Sequence, residues 1–323
     1  MLYLRDANIT HGTHVFVAGD LDVSIENGNI LDTFRLDCML PTLQYIIDHG
    51  GMPIISGHIG RPKGTVVASL STQHLIPYFD KNLGIGKYEL LENMRFDPRE
   101  ELNDDNLARE LASKADIFVN EVFSTSHRKD ASIVGVPRYI SGFAGMRLEQ
   151  EITVLKNLLT AAIHPFVVII GGAKLEDKKP VVSKFLEVAD SLLVGGKIGL
   201  QWLGDIPNKL HIPNDYATDQ KDIGNETIKD FSNIIGEAKT ILWAGPMGMY
   251  ENPEFINGSK AIAEAIAKVT QTSNAMSVAG GGDTVEVLTT LGLRDKMSFV
   301  STGGGAMLEY LAYGSLPGIE ALG

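Results

Sequence analysis

The stretch FVVIIGGAK, from Phe166 to Lys174, is an apolar run that breaks into a glycine pair and then a lysine. Three later stretches repeat the form: SLLVGGK from Ser191 to Lys197, MSVAGGGDT from Met276 to Thr284, and FVSTGGGA from Phe299 to Ala306. A short apolar run that ends in glycine before a helical pattern reads as strand, tight turn, helix, and a series of such units implies a mostly parallel sheet covered by helices. The turns of such a sheet gather at one edge. Bare backbone N–H groups and the positive ends of helix dipoles make an anion site there, and glycine lets a phosphate approach the main chain. One glycine pair would mean little, because loops in any doubly wound domain carry glycine to turn or to end a helix. Four clusters, two of them triple (Gly280, Gly281, Gly282 and Gly303, Gly304, Gly305), point to a nucleotide-phosphate crevice. Neither GxxxxGK[ST] nor GxGxxG occurs, which excludes a P-loop and removes the Rossmann fingerprint.

With 323 residues, 44% of them hydrophobic, the chain can bury the cores of two domains. Its one cysteine, Cys38, falls in a helical pattern beginning near Asp37 and reads as a small buried apolar residue; a single cysteine excludes a disulfide framework and a cysteine-rich zinc site. The opening MLYLRDANITHG has no cationic segment followed by a long apolar stretch, and no run approaches a membrane span, so a cytoplasmic enzyme with no membrane partner is expected. A formal charge of −12 opposes a nucleic-acid role, which needs a basic face to displace counterions from phosphates.

Against that acidic background the first half concentrates cations after apparent strand ends. Arg35 precedes an amphipathic stretch with Leu36, Leu40, Leu43 and Ile47 at helical spacing. MPIIS reads as a buried strand followed by GHIGRPKG, which carries His58, Arg61 and Lys63; Arg95 follows YELLENM, and His127 and Arg128 follow DIFVNEVFSTS. Any one of these arginines alone reads as a solvated surface residue. Five or six cations at parallel strand ends converge on one edge and favour a pocket for a phosphorylated anion, where arginine gives bidentate contacts. Between this basic half and the glycine-rich half runs a segment from Ala144 to Pro165, with Leu148, Ile152, Leu155 and Leu159 on one helical face. It reads as an interdomain helix, although periodicity alone also fits a crossover helix within one domain.

In sequence and order, GHIGRPKG, LLENMRF, NEVFSTSHRKDAS, GGAKLEDK, WAGPMGMYE, GGGDT, STGGGA with its following LEYL, and the terminal LPGIEAL resemble the motifs of phosphoglycerate kinases. The resemblance runs over nearly the whole chain. It implies an α/β fold of two doubly wound lobes: an acid-binding lobe over 1–143, an interdomain helix over 144–164, a Mg-nucleotide lobe over 165–305, and a segment over 306–323 packing back onto the first lobe. It also implies a monomer, hinge closure, and reversible in-line transfer between 1,3-bisphosphoglycerate and ADP giving 3-phosphoglycerate and ATP, with Mg2+ accompanying the nucleotide.

Carried over residue by residue, the resemblance assigns the acid to Asp20, Arg35, His58, Arg61, Arg95, His127 and Arg128, with Asp22 standing in the same pocket. It assigns the nucleotide to Gly172, Lys174, Lys178, Gly196, Pro246, Glu251, Gly281, Gly282, Asp283 and Thr284, with Glu251 on the ribose and Asp283 also associated with the metal. Gly303, Gly304 and Gly305 face the transferring group, and Arg35, Lys178, Gly282 and Gly305 are the expected catalytic positions. The residue types suit the chemistry independently. A carboxylate acceptor, with a free pKa near ~4, is already ionised and needs no general base. What the site must supply is alignment of two anions and neutralisation of charge on the equatorial oxygens.

The departures are specific. Where the family reads R-V-D-F-N-V-P, this chain has Ala18, Gly19, Asp20, Leu21, Asp22, Val23 and Ser24, so an arginine is lost and an asparagine becomes a carboxylate. Ala244 replaces the asparagine of W-N-G-P, and Lys197 replaces a third glycine. A helix-and-strand stretch near Leu83 to Lys87 and a W-M-G-L-D segment between Thr218 and Asp222 are missing. These changes leave two alternatives open: a nucleotide-binding homologue with weak or no turnover, and a kinase for another small phosphorylated acid.

Overall fold

The computed structural model describes residues 1–173, 178–202 and 206–323. The chain forms two compact units, Met1–Thr153 with Ser315–Gly323, and Val154–Gly314. The first unit runs β1 (His14–Ala18), a small hairpin of β2 (Ile25–Glu26) and β3 (Asn29–Ile30), α1 (Phe34–Asp48), β4 (Met52–Ser56), α2 (Ile76–Leu83), β5 (Glu89–Leu90), α3 (Asp105–Ala112), β6 (Ile117–Asn120), β7 (Ser141–Ala144) and the start of α4 (Met146–Thr160). Its sheet has the order β5-β4-β1-β6-β7 with every pair parallel. Val15, Phe16 and Val17 of β1 are fully buried, as a strand covered on both faces requires, and the Phe16 and Phe118 rings stack at 6.0 Å across β1 and β6.

Helix α1 buries Leu36, Met39, Leu43 and Ile46, not the stripe through Leu40 and Ile47 that the spacing predicts. Met39 on this face packs against Gly19, where a Cβ would meet Met39 Cε at 2.5 Å. In α4, Leu148 and Leu155 are buried as expected, but Leu158 takes the place of Leu159, and Arg147 and Glu151 pair at 2.8 Å within the interior. The Arg147 N–H donates to Glu121 at 3.0 Å, and burial pushes the Glu121 carboxyl up to about 8.

The second unit continues through β8 (Phe166–Ile170), α5 (Lys179–Val188), β9 (Ser191–Val194), α6 (Gly196–Leu200), β10 (Leu210–His211), α7 (Asn225–Gly236), β11 (Thr240–Ala244), α8 (Asn257–Ser273), β12 (Met276–Gly280), α9 (Gly282–Thr290), β13 (Phe299–Val300) and α10 (Gly305–Tyr313). Its six strands, all parallel, lie in the order β10-β9-β8-β11-β12-β13. Each of the four glycine-ended runs is a strand followed by a helix. The strand order reverses beside β1 in one sheet and beside β8 in the other, the position where open α/β sheets leave a crevice at the strands' carboxyl ends.

The units divide within α4, and α10 remains in the second unit, so the returning segment begins at Ser315 and not at Ala306. Its helix α11 (Pro317–Glu320) packs on the first unit, where Gly318 N–H donates to Ser126 O at 2.7 Å and Asn120 Nδ2 donates to Gly318 O at 3.0 Å. Only glycine fits there, since a Cβ would meet Ile133 at 2.8 Å. Among the described residues no helix is long and apolar enough to cross a membrane.

Candidate active site

In the first unit, β1 ends at Ala18 and delivers Asp20 and Asp22, the start of α1 carries Arg35, the loop after β4 carries His58, and the turns after β5 and β6 carry Arg95 and Arg128. These groups converge. Arg35 Nη1 donates to the buried Asp20 Oδ1 at 2.7 Å, and the Asp20 charge is the main reason the Arg35 guanidinium is held above its ordinary value. Arg95 lies 3.7 Å from Glu101 and 3.8 Å from Asp130, and Arg128 lies 3.8 Å from Glu101. Burial, then the neighbouring Arg128, lowers Arg95. Burial and the Arg95 charge bring His58 down to about 4, with Asp22 opposing them from 3.8 Å. The His58 imidazole is therefore neutral at pH 7.

The cations are compensated but not saturated. Buried Arg95 Nε and Nη2, Arg128 Nε and Asp20 Oδ2 have no hydrogen-bond partner among the described residues. Orphaned donors of this kind carry a desolvation cost that an anionic ligand can relieve. Asp22 Oδ1 accepts the Gly60 N–H at 2.8 Å, so its carboxylate is fixed beside His58. Ala18 shares a small cavity, about 10 Å³, with His58, Glu100 and Asp130. Arg61 is exposed and outside this network, and His127 is half-buried next to Arg128 in the chain.

In the second unit two depressions meet at Asp283. One, about 200 Å³, is lined by Lys178, Gly245, Gly281, Gly282, Thr284, Gly304 and Gly305 among others. The N-termini of α9 and α10 both open on it, giving two sets of unpaired backbone N–H groups and two positive dipole ends. Gly281 has φ +105°, and a Cβ on Gly304 would press on Gly281 Cα at 3.3 Å, so the two turns approach each other only because both are glycine. Gly303 is instead buried, its N–H donating to Ser301 Oγ at 3.1 Å. Lys178 stands at the N-cap of α5, and its Nζ donates to Gly171 O. Lys174 lies outside the described residues.

The second depression, about 220 Å³, is wider and contains Gly172, Gly196, Pro246, Glu251 and Asp283, bordered by Tyr216, Met247 and Tyr250. Gly172 N–H donates to Pro246 O at 2.9 Å, which ties the turns after β8 and β11 together at the point where strand order reverses. Sequence reasoning did not identify Tyr216, Lys221, Met247 or Tyr250 as lining residues, nor Glu101 and Asp130 as counter-charges. Most of these lie on irregular segments with no periodicity to read. A carboxylate following an arginine-bearing turn, as in Glu101, was the signal available.

Such an arrangement can hold a phosphorylated anion on one α/β unit and a longer, phosphate-bearing ligand on the other, which is the layout of a two-substrate phosphotransferase. The sequence matches the family described as phosphoglycerate kinase over residues 4–85, 80–205 and 204–313. The phosphoglycerate kinase of Dictyoglomus turgidum is 36% identical, the match covering 100% of this chain and 98% of that protein, and the one from Roseiflexus sp. is 34% identical with 96% of each covered. Among solved structures, the phosphoglycerate kinases of Coxiella burnetii (TM-score 0.83, 30% identity, 99% and 98% covered) and Pyrococcus horikoshii (0.85, 27%, 100% and 98%) share the fold. The chain belongs to the phosphoglycerate kinase family. The alignment to the Dictyoglomus protein runs over 392 positions against 323 residues here, so this chain is a shortened member.

Proposed function

We propose that the protein catalyses reversible phosphoryl transfer between 1,3-bisphosphoglycerate and ADP, giving 3-phosphoglycerate and ATP, as a monomeric cytoplasmic enzyme. The observation that carries this reading is the meeting of two helix N-termini and Lys178 on one depression, in a family member whose other unit clusters Arg35, Arg95 and Arg128. In the proposal the acid's phosphate takes the orphaned guanidinium nitrogens of Arg95 and Arg128, with Arg35 nearest the reacting carboxylate and Asp20 Oδ2 free to accept a hydroxyl proton. Arg61 and His127 complete the acid site as the family resemblance implies.

The carboxylate acceptor is ionised at neutral pH, so the chain's work is alignment and charge neutralisation. Lys178 Nζ, now on a carbonyl oxygen, exchanges that partner for an equatorial phosphate oxygen, and the N–H groups opening α9 and α10 at Gly282 and Gly305 receive the others. In the proposal Glu251 takes the ribose hydroxyls and Thr284 a phosphate, as the family resemblance implies. Among the described residues no group of three or more His, Cys, Asp or Glu could hold a metal alone, but a lone carboxylate, Asp283, suits Mg2+ bound mainly by nucleotide phosphates and water. Such an ion would neutralise phosphate charge. A closure bringing acid and nucleotide into line is part of the proposal.

The test is a coupled assay with ATP and 3-phosphoglycerate, following NADH consumption through glyceraldehyde-3-phosphate dehydrogenase. Turnover well above a Lys178→Ala control is expected, and its absence at saturating substrates would refute the reading. Asp22, a carboxylate fixed beside His58, favours one second reading, in which the acceptor is a related phosphorylated acid; a panel of such acids in the same assay separates the two.

A further inference from the structure

The wider depression of the second unit carries cations for which phosphoryl transfer has no use. Lys197 and Lys221 both line it, while the phosphate end lies past Asp283 with Lys178. With aromatic and thioether walls from Tyr216, Tyr250 and Met247, this is the part of the site shaped for a base. The Lys197 side chain makes no hydrogen bond or ion pair among the described residues. Lys221 is anchored, with Nζ 3.1 Å from Asp219 Oδ2 and 5.0 Å over the Phe255 ring.

The carboxylates in the same depression are committed elsewhere, which leaves the Gln220 amide, a donor as well as an acceptor, beside the two lysines. Asp222 is buried and spends its carboxylate on the Gly258 N–H at 2.7 Å and the Ile223 N–H at 2.9 Å. Glu251 and Asp283 are allotted to ribose and Mg2+ in the reading above. What remains for a base edge is mostly donor: an ammonium offers three N–H groups and no acceptor. A 6-oxopurine presents two adjacent acceptors, O6 and N7, whereas adenine sets an amino donor beside N7, so a lysine at that edge attracts the first and loses a contact with the second.

Building on the assignment of this depression to the nucleoside, we propose that the pocket selects guanine or hypoxanthine nucleotides over adenine nucleotides, with Lys197 as the specificity-determining residue. The family resemblance puts a third glycine where this chain has Lys197, so the selection would distinguish this chain.

The experiment is calorimetric binding of Mg-GDP, Mg-IDP and Mg-ADP to the full-length protein, repeated with Lys197→Met. GDP and IDP are expected to bind about five-fold more tightly than ADP, the scale of one partly solvated charge-assisted contact. The ratio should fall to about one in Lys197→Met. Equal or tighter ADP binding, IDP behaving like ADP, or a ratio unmoved by Lys197→Met overturns the proposal. A misfolded Met variant would lose all three affinities together, and Lys197→Gln, which keeps a neutral amide at the same site, then takes its place with the same expected loss. Binding is read without turnover. A protein that prefers GDP yet fails the coupled assay keeps this inference and loses the proposed function, while turnover with an adenine preference does the reverse.

Discussion

Replacing Asp22 by asparagine removes one negative charge from the acid pocket while keeping the oxygen that accepts the Gly60 N–H at 2.8 Å. The loop fold is therefore retained and the charge alone is tested. The pocket holds three arginines, Arg35, Arg95 and Arg128, against four carboxylates, Asp20, Asp22, Glu101 and Asp130, so before ligand binds these groups carry no positive surplus. A substrate anion roughly 6 Å from Asp22 would be repelled by about 3 kcal/mol at an effective dielectric of 20. Asp22 is 42% exposed, and solvent and salt reduce this to about 1 kcal/mol, close to five-fold in affinity. Asp22→Asn should thus lower KM for 3-phosphoglycerate several-fold in the coupled assay and leave KM for the nucleotide nearly unchanged. Loss of the Asp22 charge also removes an influence raising His58, so the imidazole stays neutral and adds no compensating cation. An unchanged or higher KM for the acid would refute the reasoning and favour an acceptor that uses this carboxylate as a hydrogen-bond partner.

Three further outcomes follow from the same structure. Lys178→Ala should lower kcat by about 10²–10³ with unchanged circular dichroism, because Lys178 caps α5 through its backbone, which the substitution keeps, while its side chain reaches Gly171 O at the phosphate depression. Gly281→Ala forces an L side chain to φ +105°, at about 1–3 kcal/mol of strain; a thermal melt should show a Tm lower by about 2–4 °C per kcal/mol, with weakened nucleotide binding. Burial pushes the Glu100 carboxyl up to about 7 from an ordinary 4.5, so the folded state keeps a proton the unfolded chain has lost. That contribution to stability is complete below about 4.5 and fades by about 1–3 kcal/mol as pH rises to 7, and denaturant titrations across this range should show a flatter slope for Glu100→Gln.

The parallel architecture was readable because strand, glycine turn and helix recur at MSVAGGGDT and its companions, where backbone geometry demands a particular residue type. The register of α1 was not. Leu40 and Met39 are both apolar, and helical spacing alone does not choose between them; the buried Met39 packs against Gly19, a residue outside the helix. At the acid site the arginines stood out as cations against an acidic composition, yet their compensation by Asp130 and Glu101 depends on how the turns after β5 and β6 fold together. The triple glycines were equally visible, but only the structure distinguishes Gly303, buried on Ser301, from Gly304 and Gly305, which line the depression. The base end was least legible: Tyr216 and Lys221 sit on irregular backbone beside Asp219 and Gln220 at positive φ, where neither period nor motif applies.

Transfer to a carboxylate, and not to a hydroxyl, is the centre of the account, and hydroxylamine reports it directly. With ATP, Mg2+ and 3-phosphoglycerate, the protein should generate an acyl phosphate that hydroxylamine traps as a hydroxamate, in step with ADP release and absent with Lys178→Ala. ADP release that yields only a hydroxylamine-stable phosphate ester, or no product above that control, would contradict it.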